Sequence, residues 1–155
     1  MAIEQEIMGM NEWLWQKTAT TAASLKLVYG ATGFDVSSNR TAIKTATQTN
    51  LGSTGAAGGF KNHTFKATFL DFNVGAGDMA SYYSKADFLT AYNTNTKVTL
   101  AWGEAPATGV CAVSTVLETG TFVITSISKS KKVDGQSTYD VGFEVDGDIT
   151  TYTTT

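Results

Sequence analysis

Alternating apolar and polar positions mark the predicted strands of this chain. The clearest alternation runs through Thr64–Phe72, where Phe65, Ala67 and Phe69 fall on one face. Because the side chains of a strand point alternately to its two faces, this pattern predicts a strand with one buried side. Similar runs predict further strands over Leu25–Tyr29, Lys97–Trp102, Thr119–Ser128 and Ser137–Val145.

The last two predicted strands are expected to form an antiparallel hairpin, because the turn dipeptide Asp134-Gly135 lies between them. One short helix is expected over residues 84–93. Ser84 is followed three residues later by Asp87, which resembles a capping box, and Phe88, Leu89 and Tyr92 would then share one face. The pattern as a whole predicts a β-rich domain with one helix.

Two segments show neither a strand period nor a helix period. The N-terminal arm, residues 1–20, contains Trp13 and Trp15, which pack either on the domain's own core or on a neighbouring subunit. Residues 45–60 are small, polar and rich in glycine, so they predict a long flexible loop or a flexible hairpin that becomes ordered on assembly. A subunit interface is therefore expected at these two segments, through Trp13, Trp15, Leu51, Gly55, Gly59 and Phe60.

Composition favours self-association over nucleic-acid binding. The 155 residues suit a single domain, 1–155, with the β core at 61–150. Charged residues make up 16% of the chain, below the roughly 25% typical of soluble domains, and a surface with few charges is cheaper to desolvate. The net charge is −3, and the one dense basic cluster, Lys129, Lys131 and Lys132, precedes a turn and is interpreted as a solvated hairpin end.

Residues for catalysis or metal binding are scarce. Cys111 and His63 are the only cysteine and histidine, so a zinc site of nitrogen and sulfur ligands is not expected, and no nucleophile elbow is present. The spacing of Asp134, Asp140, Asp146 and Asp148 does not match a calcium-binding EF-hand loop. We therefore expect no enzyme activity, no catalytic residue, no metal and no cofactor.

The sequence also lacks membrane and export signals. The first residues do not combine a basic region with an apolar one, and no apolar run approaches the length that crosses a bilayer. Synthesis in the cytoplasm and no membrane partner are expected.

The C-terminal stretch resembles the ending of tailed-phage major tail proteins, the tail tube proteins. The shared pattern is a glycine, an apolar strand that ends in serine, a polar turn, and an aromatic strand that closes on a glycine and a β-branched residue. The resemblance covers roughly residues 60 to 150 and includes the helix before Lys97–Trp102. The positions that carry it are Gly120, Ile124, Ser126, Ser128, Tyr139, Phe143, Gly147 and Ile149.

This resemblance implies a mainly β fold, an antiparallel β-sandwich or barrel with one short flanking α-helix. It also implies that six copies form a ring by sheet-edge pairing and that rings stack into a tube. DNA would pass through the lumen without specific binding, and the partners would be other copies and further tail or virion proteins. The location implied is the virion tail, after synthesis in the host cytoplasm.

Two other functions remain open from the sequence. One is a capsid decoration protein, a head fibre or another virion structural protein. The other is a carbohydrate-binding β-sandwich module, in which Trp13, Trp15 and Trp102 would stack on sugar rings.

Overall fold

The computed structural model describes residues 12–28, 31–46, 54–70, 82–105, 110–131, 133, 135 and 137–155. A 3₁₀ turn, Ala22–Ser24, and one α-helix accompany the strands of this part of the chain. In chain order the elements are β1 Glu12–Gln16, β2 Lys26–Val28, β3 Ala31–Ala46, β4 Thr54–Leu70, β5 Tyr82–Tyr83, α1 Lys85–Asn93, β6 Val98–Glu104, β7 Val116–Ser130, β8 Thr138–Val145 and β9 Thr150–Thr153.

The described strands belong to one sheet, in the order β3-β4-β8-β7-β6-β1-β2-β5. β9 pairs with the first residues of β7, which precede those that pair with β8. The pairings are antiparallel except the short parallel pairing of β2 with β5. The mainly β fold with one helix is therefore confirmed. The sheet does not close into a barrel within the described residues, because its two end strands, β3 and β5, do not pair with each other.

The sheet curls around a cluster of aromatic rings centred on Phe65, a β4 residue that is 1% exposed. Its ring centroid lies 5.2 Å from that of Trp102 in β6, 5.3 Å from that of Phe122 in β7 and 5.6 Å from that of Phe143 in β8. β4 and β6 are separated by two strands in the sheet. At about 4.8 Å per strand they would lie roughly 14 Å apart in a flat sheet. Contact between Phe65 and Trp102 therefore requires a strongly curled sheet with its core inside.

α1 packs on this core through one side. The Asp87 carboxylate accepts a hydrogen bond from the backbone N–H of Ser84 at 2.9 Å, as the expected capping box requires. Phe88 is fully buried, and its ring centroid lies 5.1 Å from that of Phe69. The predicted face of Phe88, Leu89 and Tyr92 is wrong for its last two members, which are nearly half exposed. Ala91, three residues after Phe88, is buried instead because those two positions share the side that contacts the sheet.

The predicted strands correspond to observed ones. β2, the second half of β4, β6, β7 and β8 coincide with the alternating runs. The hairpin of β7 and β8 is confirmed, with partners from Phe122 and Val145 to Ser130 and Thr138. Phe65, Ala67 and Phe69 are all buried, as their shared face predicted.

The two segments without a period contain strand residues. Of the two expectations for residues 45–60, a long loop or a flexible hairpin, the structure favours the hairpin, because residues 45–46 and 54–60 belong to the paired strands β3 and β4. Residues 47–53 lie outside the described residues. Small residues give no side-chain pattern, but their backbone groups pair across the two strands as well as any others do. In the N-terminal arm, β1 is a strand, and residues 1–11 lie outside the described residues.

We expect Phe65→Ala to lower the free energy of unfolding of the free subunit by about 3–5 kcal/mol, because it empties the centre of the aromatic cluster. Urea denaturation measures this loss. Val133→Ala, at a fully exposed position, is the control and should change stability by less than about 0.5 kcal/mol. Equal midpoints for the two variants would contradict the central position of Phe65.

Candidate assembly interface

β3 is a long edge strand. It spans 16 residues and, within the described part of the chain, pairs only with β4. Its described side chains, residues 31–42, are exposed except that of Phe34, which is half-buried. The strand contains no proline and three charged residues, Asp35, Arg40 and Lys44. Soluble monomers usually shield such an edge with charges, prolines or bulges. Two register shifts against β4 flank a regular stretch at residues 33–40, and the open edge of that stretch suits pairing with a strand of another chain.

β3 and β4 continue beyond the rest of the sheet as a two-stranded ribbon. β8 pairs with β4 only along Thr64–Leu70. The remaining paired residues, 38–46 of β3 and 54–63 of β4, form what we call the hairpin overhang. At about 3.3 Å per residue, the overhanging part of β4 reaches roughly 30 Å. Because an isolated two-stranded hairpin is only marginally stable in water, the overhang would be stabilised by a partner surface.

Three of the predicted interface residues lie in the hairpin overhang. Gly55 pairs with Thr45. Gly59 and Phe60 together oppose the single residue Thr41, because the register shifts by one residue between the pairs of Arg40 and Ala42. Such a bulge bends and twists the ribbon. Leu51 lies outside the described residues.

Trp15 is a core residue of its own domain, so its assignment to a subunit interface is wrong. It is 1% exposed in a second apolar cluster on the opposite face of β1 from Leu14. β1 lies between β6 and β2, and both of its faces are covered, which is why the segment shows no simple period. The residues that bury Trp15 are Ala101, Ala105, Cys111 and Leu117.

Trp13 packs on the edge of the same second cluster and is partly buried. Among the described residues, its buried indole N–H has no hydrogen-bond partner, and neither has the buried hydroxyl of Tyr152, which packs against the same cluster. Of the two tryptophans, Trp13 alone retains exposed surface that a neighbouring subunit could cover.

Basic side chains gather where the hairpin overhang leaves the sheet. Arg40 and Lys61 are direct cross-strand partners, and the next pair on the same face is Ser38 with His63, whose Oγ and Nδ1 lie 2.6 Å apart. The Lys61 Nζ lies 2.6 Å from the Asp148 carboxylate in the turn between β8 and β9. Hydrogen bonding from Lys61, together with the charges of Lys61, His63 and Arg40, lowers the pKa of Asp148.

This basic group was not found by sequence reasoning. Arg40 and Lys61 are 21 positions apart, and only the pairing register of β3 with β4 brings them together. Asp148 is one of four aspartates whose spacing in the sequence does not match a calcium-binding loop, and the described members of that set have separate roles in the structure. Asp140 accepts a hydrogen bond from the Thr68 hydroxyl at 2.7 Å, and Asp146 pairs with Lys97 at 2.6 Å.

The described residues contain neither a metal-binding cluster nor a membrane-spanning helix. Within the described ranges, no three side chains of histidine, cysteine, aspartate or glutamate are grouped so that they could hold a metal ion. No helix in the part of the chain described here has the length and apolar character needed to cross a bilayer.

No protein-family model matches the chain, and no curated protein matches it in sequence. Solved structures are similar to it over nearly its whole length. A chain of the tail of an empty gene transfer agent particle, computed with C6 symmetry, has a TM-score of 0.63 at 12% identity and covers 94% of this chain and 98% of its own.

The SPP1 tail tube has a TM-score of 0.65 at 16% identity, covering 93% of this chain and 78% of that chain. The sheath–tube complex of an extracellular contractile injection system has a TM-score of 0.60 at 9% identity, covering 97% and 94%. The chain therefore shares the fold found in these assemblies, and the expected likeness to tail tube proteins is confirmed at the level of the fold.

We expect Lys61→Met to return the pKa of the Asp148 carboxyl towards its ordinary value of about 3.9, because the variant removes the main cause of its depression. Because the pKa of Asp148 is lower in the folded state than in the unfolded state, the ion pair stabilises the fold at pH values above the unfolded-state pKa. This stabilisation is lost as the pH falls through the folded-state pKa. A carboxyl NMR titration of the free subunit measures the pKa. Lys131→Met, at an exposed position away from the overhang, is the control and should leave it unchanged; equal pKa values in both variants would contradict the pairing.

Proposed function

We propose that this chain is a structural, non-enzymatic tail tube protein. Copies form hexameric rings by pairing sheet edges, and the rings stack into the phage tail tube. The observation that carries the proposal is the open edge of β3, 16 residues long, in a fold shared with tail and tube assemblies. A monomeric binding domain would gain nothing from such an edge and would risk aggregation through it.

The geometry of the edges supports ring formation. β3 ends the sheet order on one side, and the short β5 ends it on the other. Pairing one edge of a copy with a different edge of the next is a heterologous contact, which closes into a ring when the rotation between copies allows it. The C6 symmetry of the gene transfer agent tail supports six copies per ring. The neighbouring copy is proposed to contact the hairpin overhang, which includes Gly55, Gly59 and Phe60, and to contact Leu51.

Charge supports a passive lumen. The chain has a net charge of −3, so a tube of many copies carries a large excess of negative charge. Proteins that hold DNA neutralise phosphates with a basic stripe, whereas an acidic channel repels the backbone. We therefore propose that DNA passes through the tube without specific binding. The chain would be made in the host cytoplasm and reside in the virion tail, where other tail proteins, such as a terminating cap, contact it.

The carbohydrate-binding alternative is disfavoured by the burial of the tryptophans. Trp15 and Trp102 are 1% and 2% exposed, so neither ring offers a face for a sugar. The Trp102 indole N–H also donates a hydrogen bond to the Glu118 carboxylate at 2.7 Å. The capsid-decoration alternative has no specific observation in its favour.

We expect the purified chain to form rings or tubes of uniform diameter in negative-stain electron microscopy, and Ser37→Lys with Asn39→Lys to raise the concentration needed for assembly roughly tenfold or more. Both residues are exposed on β3, and lysines on an edge strand oppose its pairing with another strand. Circular dichroism of the free subunit checks that the variant is folded.

The matched control is Ala86→Lys with Asn93→Lys, which adds the same charge to exposed positions of α1. The control should assemble as the wild type does. A wild-type chain that remains monomeric at high concentration would refute the proposed function. An edge variant that assembles as readily as the control would refute the role of β3.

A further inference from the structure

Among the described strands, two cross-strand pairs place like charges directly opposite each other. Arg40 of β3 faces Lys61 of β4, and Glu12 of β1 faces Glu104 of β6. Directly opposed residues of antiparallel strands have their Cβ atoms about 5 Å apart, and like charges there are destabilising. The same strands can hold opposite charges, since Asp35 faces Lys66 five positions before Arg40. The two like-charge pairs therefore need an explanation outside the strand pairing.

The subunit itself neutralises these pairs incompletely. Lys61 pairs with Asp148, but within the described part of the chain Arg40 has no ion-pair partner within 4 Å. In those residues, Glu12 and Glu104 also have no ion-pair partner. Arg40, Lys61 and Asp148 together carry a net charge of about +1, and the glutamate pair carries about −2 at neutral pH. The two surfaces are thus complementary in sign: in the described residues the first retains one uncompensated cation, Arg40, and the second retains two uncompensated carboxylates.

Both pairs lie at the same end of the sheet. β4, β8, β7 and β6 are successive antiparallel neighbours, so β4 traced backwards runs in the same direction as β6 traced forwards. Traced backwards, β4 passes from Phe65 through His63 to Lys61. Traced forwards, β6 passes from Trp102 to Glu104. Each pair therefore continues a core-facing row past the edge of the core. In the order of the strands, the cation pair lies on β3 and β4 and the carboxylate pair lies on β6 and β1. The curl that packs Phe65 on Trp102 brings these two parts of the sheet towards each other within the subunit.

We propose that the cation pair Arg40–Lys61 of one copy docks on the carboxylate pair Glu12–Glu104 of the next copy in the same ring. The inference rests on the proposed function, because it requires copies side by side in one orientation. In that arrangement the same ends of neighbouring copies are level, so the two surfaces can meet. A neighbour in the opposite orientation would not bring the two surfaces level. The contact would therefore fix the orientation of the copies as well as attract them.

Charge reversal tests this contact in two variants. The acidic variant is Arg40→Glu with Lys61→Glu, and the basic variant is Glu12→Lys with Glu104→Lys. Each replaces a like-charge pair by the opposite like-charge pair and makes the two proposed surfaces repel each other. Light scattering at low ionic strength should show that each variant alone needs a concentration roughly tenfold higher or more than the wild type to assemble.

Mixing separates the proposed contact from damage to the subunit. In an equimolar mixture, the altered overhang of the acidic variant faces the lysine pair of the basic variant, so assembly should return towards the wild-type concentration. A defect within either subunit, including repulsion between Asp148 and the carboxylate introduced at position 61, could not be repaired by mixing. The control Lys26→Glu with Lys131→Glu has the same change in net charge as the acidic variant, at exposed positions, and should assemble as the wild type does.

Three results distinguish between the proposed contact and the proposed function. Rescue by mixing, together with a normal control, supports the contact. Variants that assemble alone as the wild type does, or a mixture that assembles no better than its components, would overturn this contact and leave the tube proposal standing. A wild-type chain that never assembles would overturn both.

Discussion

The packing of Phe65 against Trp102 is the contact on which the rest of the structure depends. It joins strands that a flat sheet would keep roughly 14 Å apart, and it therefore sets the curl of the sheet. The curl places Phe122 and Phe143 around the same ring and gives α1 a surface on which to bury Phe88. Because the aromatic cluster ends at Phe65, it also sets the point at which β4 leaves the core.

β4 combines a buried half and an overhanging half in one strand. Along one face the residues change from Phe69, Ala67 and Phe65, all buried, to His63 and Lys61. Burial of apolar surface stabilises the first half within the subunit. Among the described residues, the second half is held by its pairing with β3 and by the ion pair with Asp148. The core of the subunit therefore stabilises residues 64–70 of β4. Residues 54–63 are the part of the strand that contact with another copy would stabilise most. The proposed function as a tube subunit depends on this division.

Local patterns predicted the parts of the fold that are buried on one face. The alternation in the second half of β4, in β7 and in β8 is visible because each has one apolar row. β1 was missed because both of its faces are buried, the second by residues such as Leu117 that lie about a hundred positions away. For residues 54–59 the sequence could not decide between a loop and a hairpin strand, because glycine and alanine carry no alternation. The charged pairs depend on register between distant strands, which no local pattern encodes.

Hydrogen exchange of backbone amides in the free subunit and in the assembled state tests the central claim most directly. The amides of β3 and of residues 54–63 should exchange faster than those of residues 65–69 in the free subunit. In the assembly, the amides of β3 and of residues 54–63 should become as strongly protected as those of residues 65–69, which are protected in both states. If residues 54–63 are as protected as residues 65–69 in the free subunit, or if β3 gains no protection on assembly, then the edge and the overhang are not the surfaces that other copies complete.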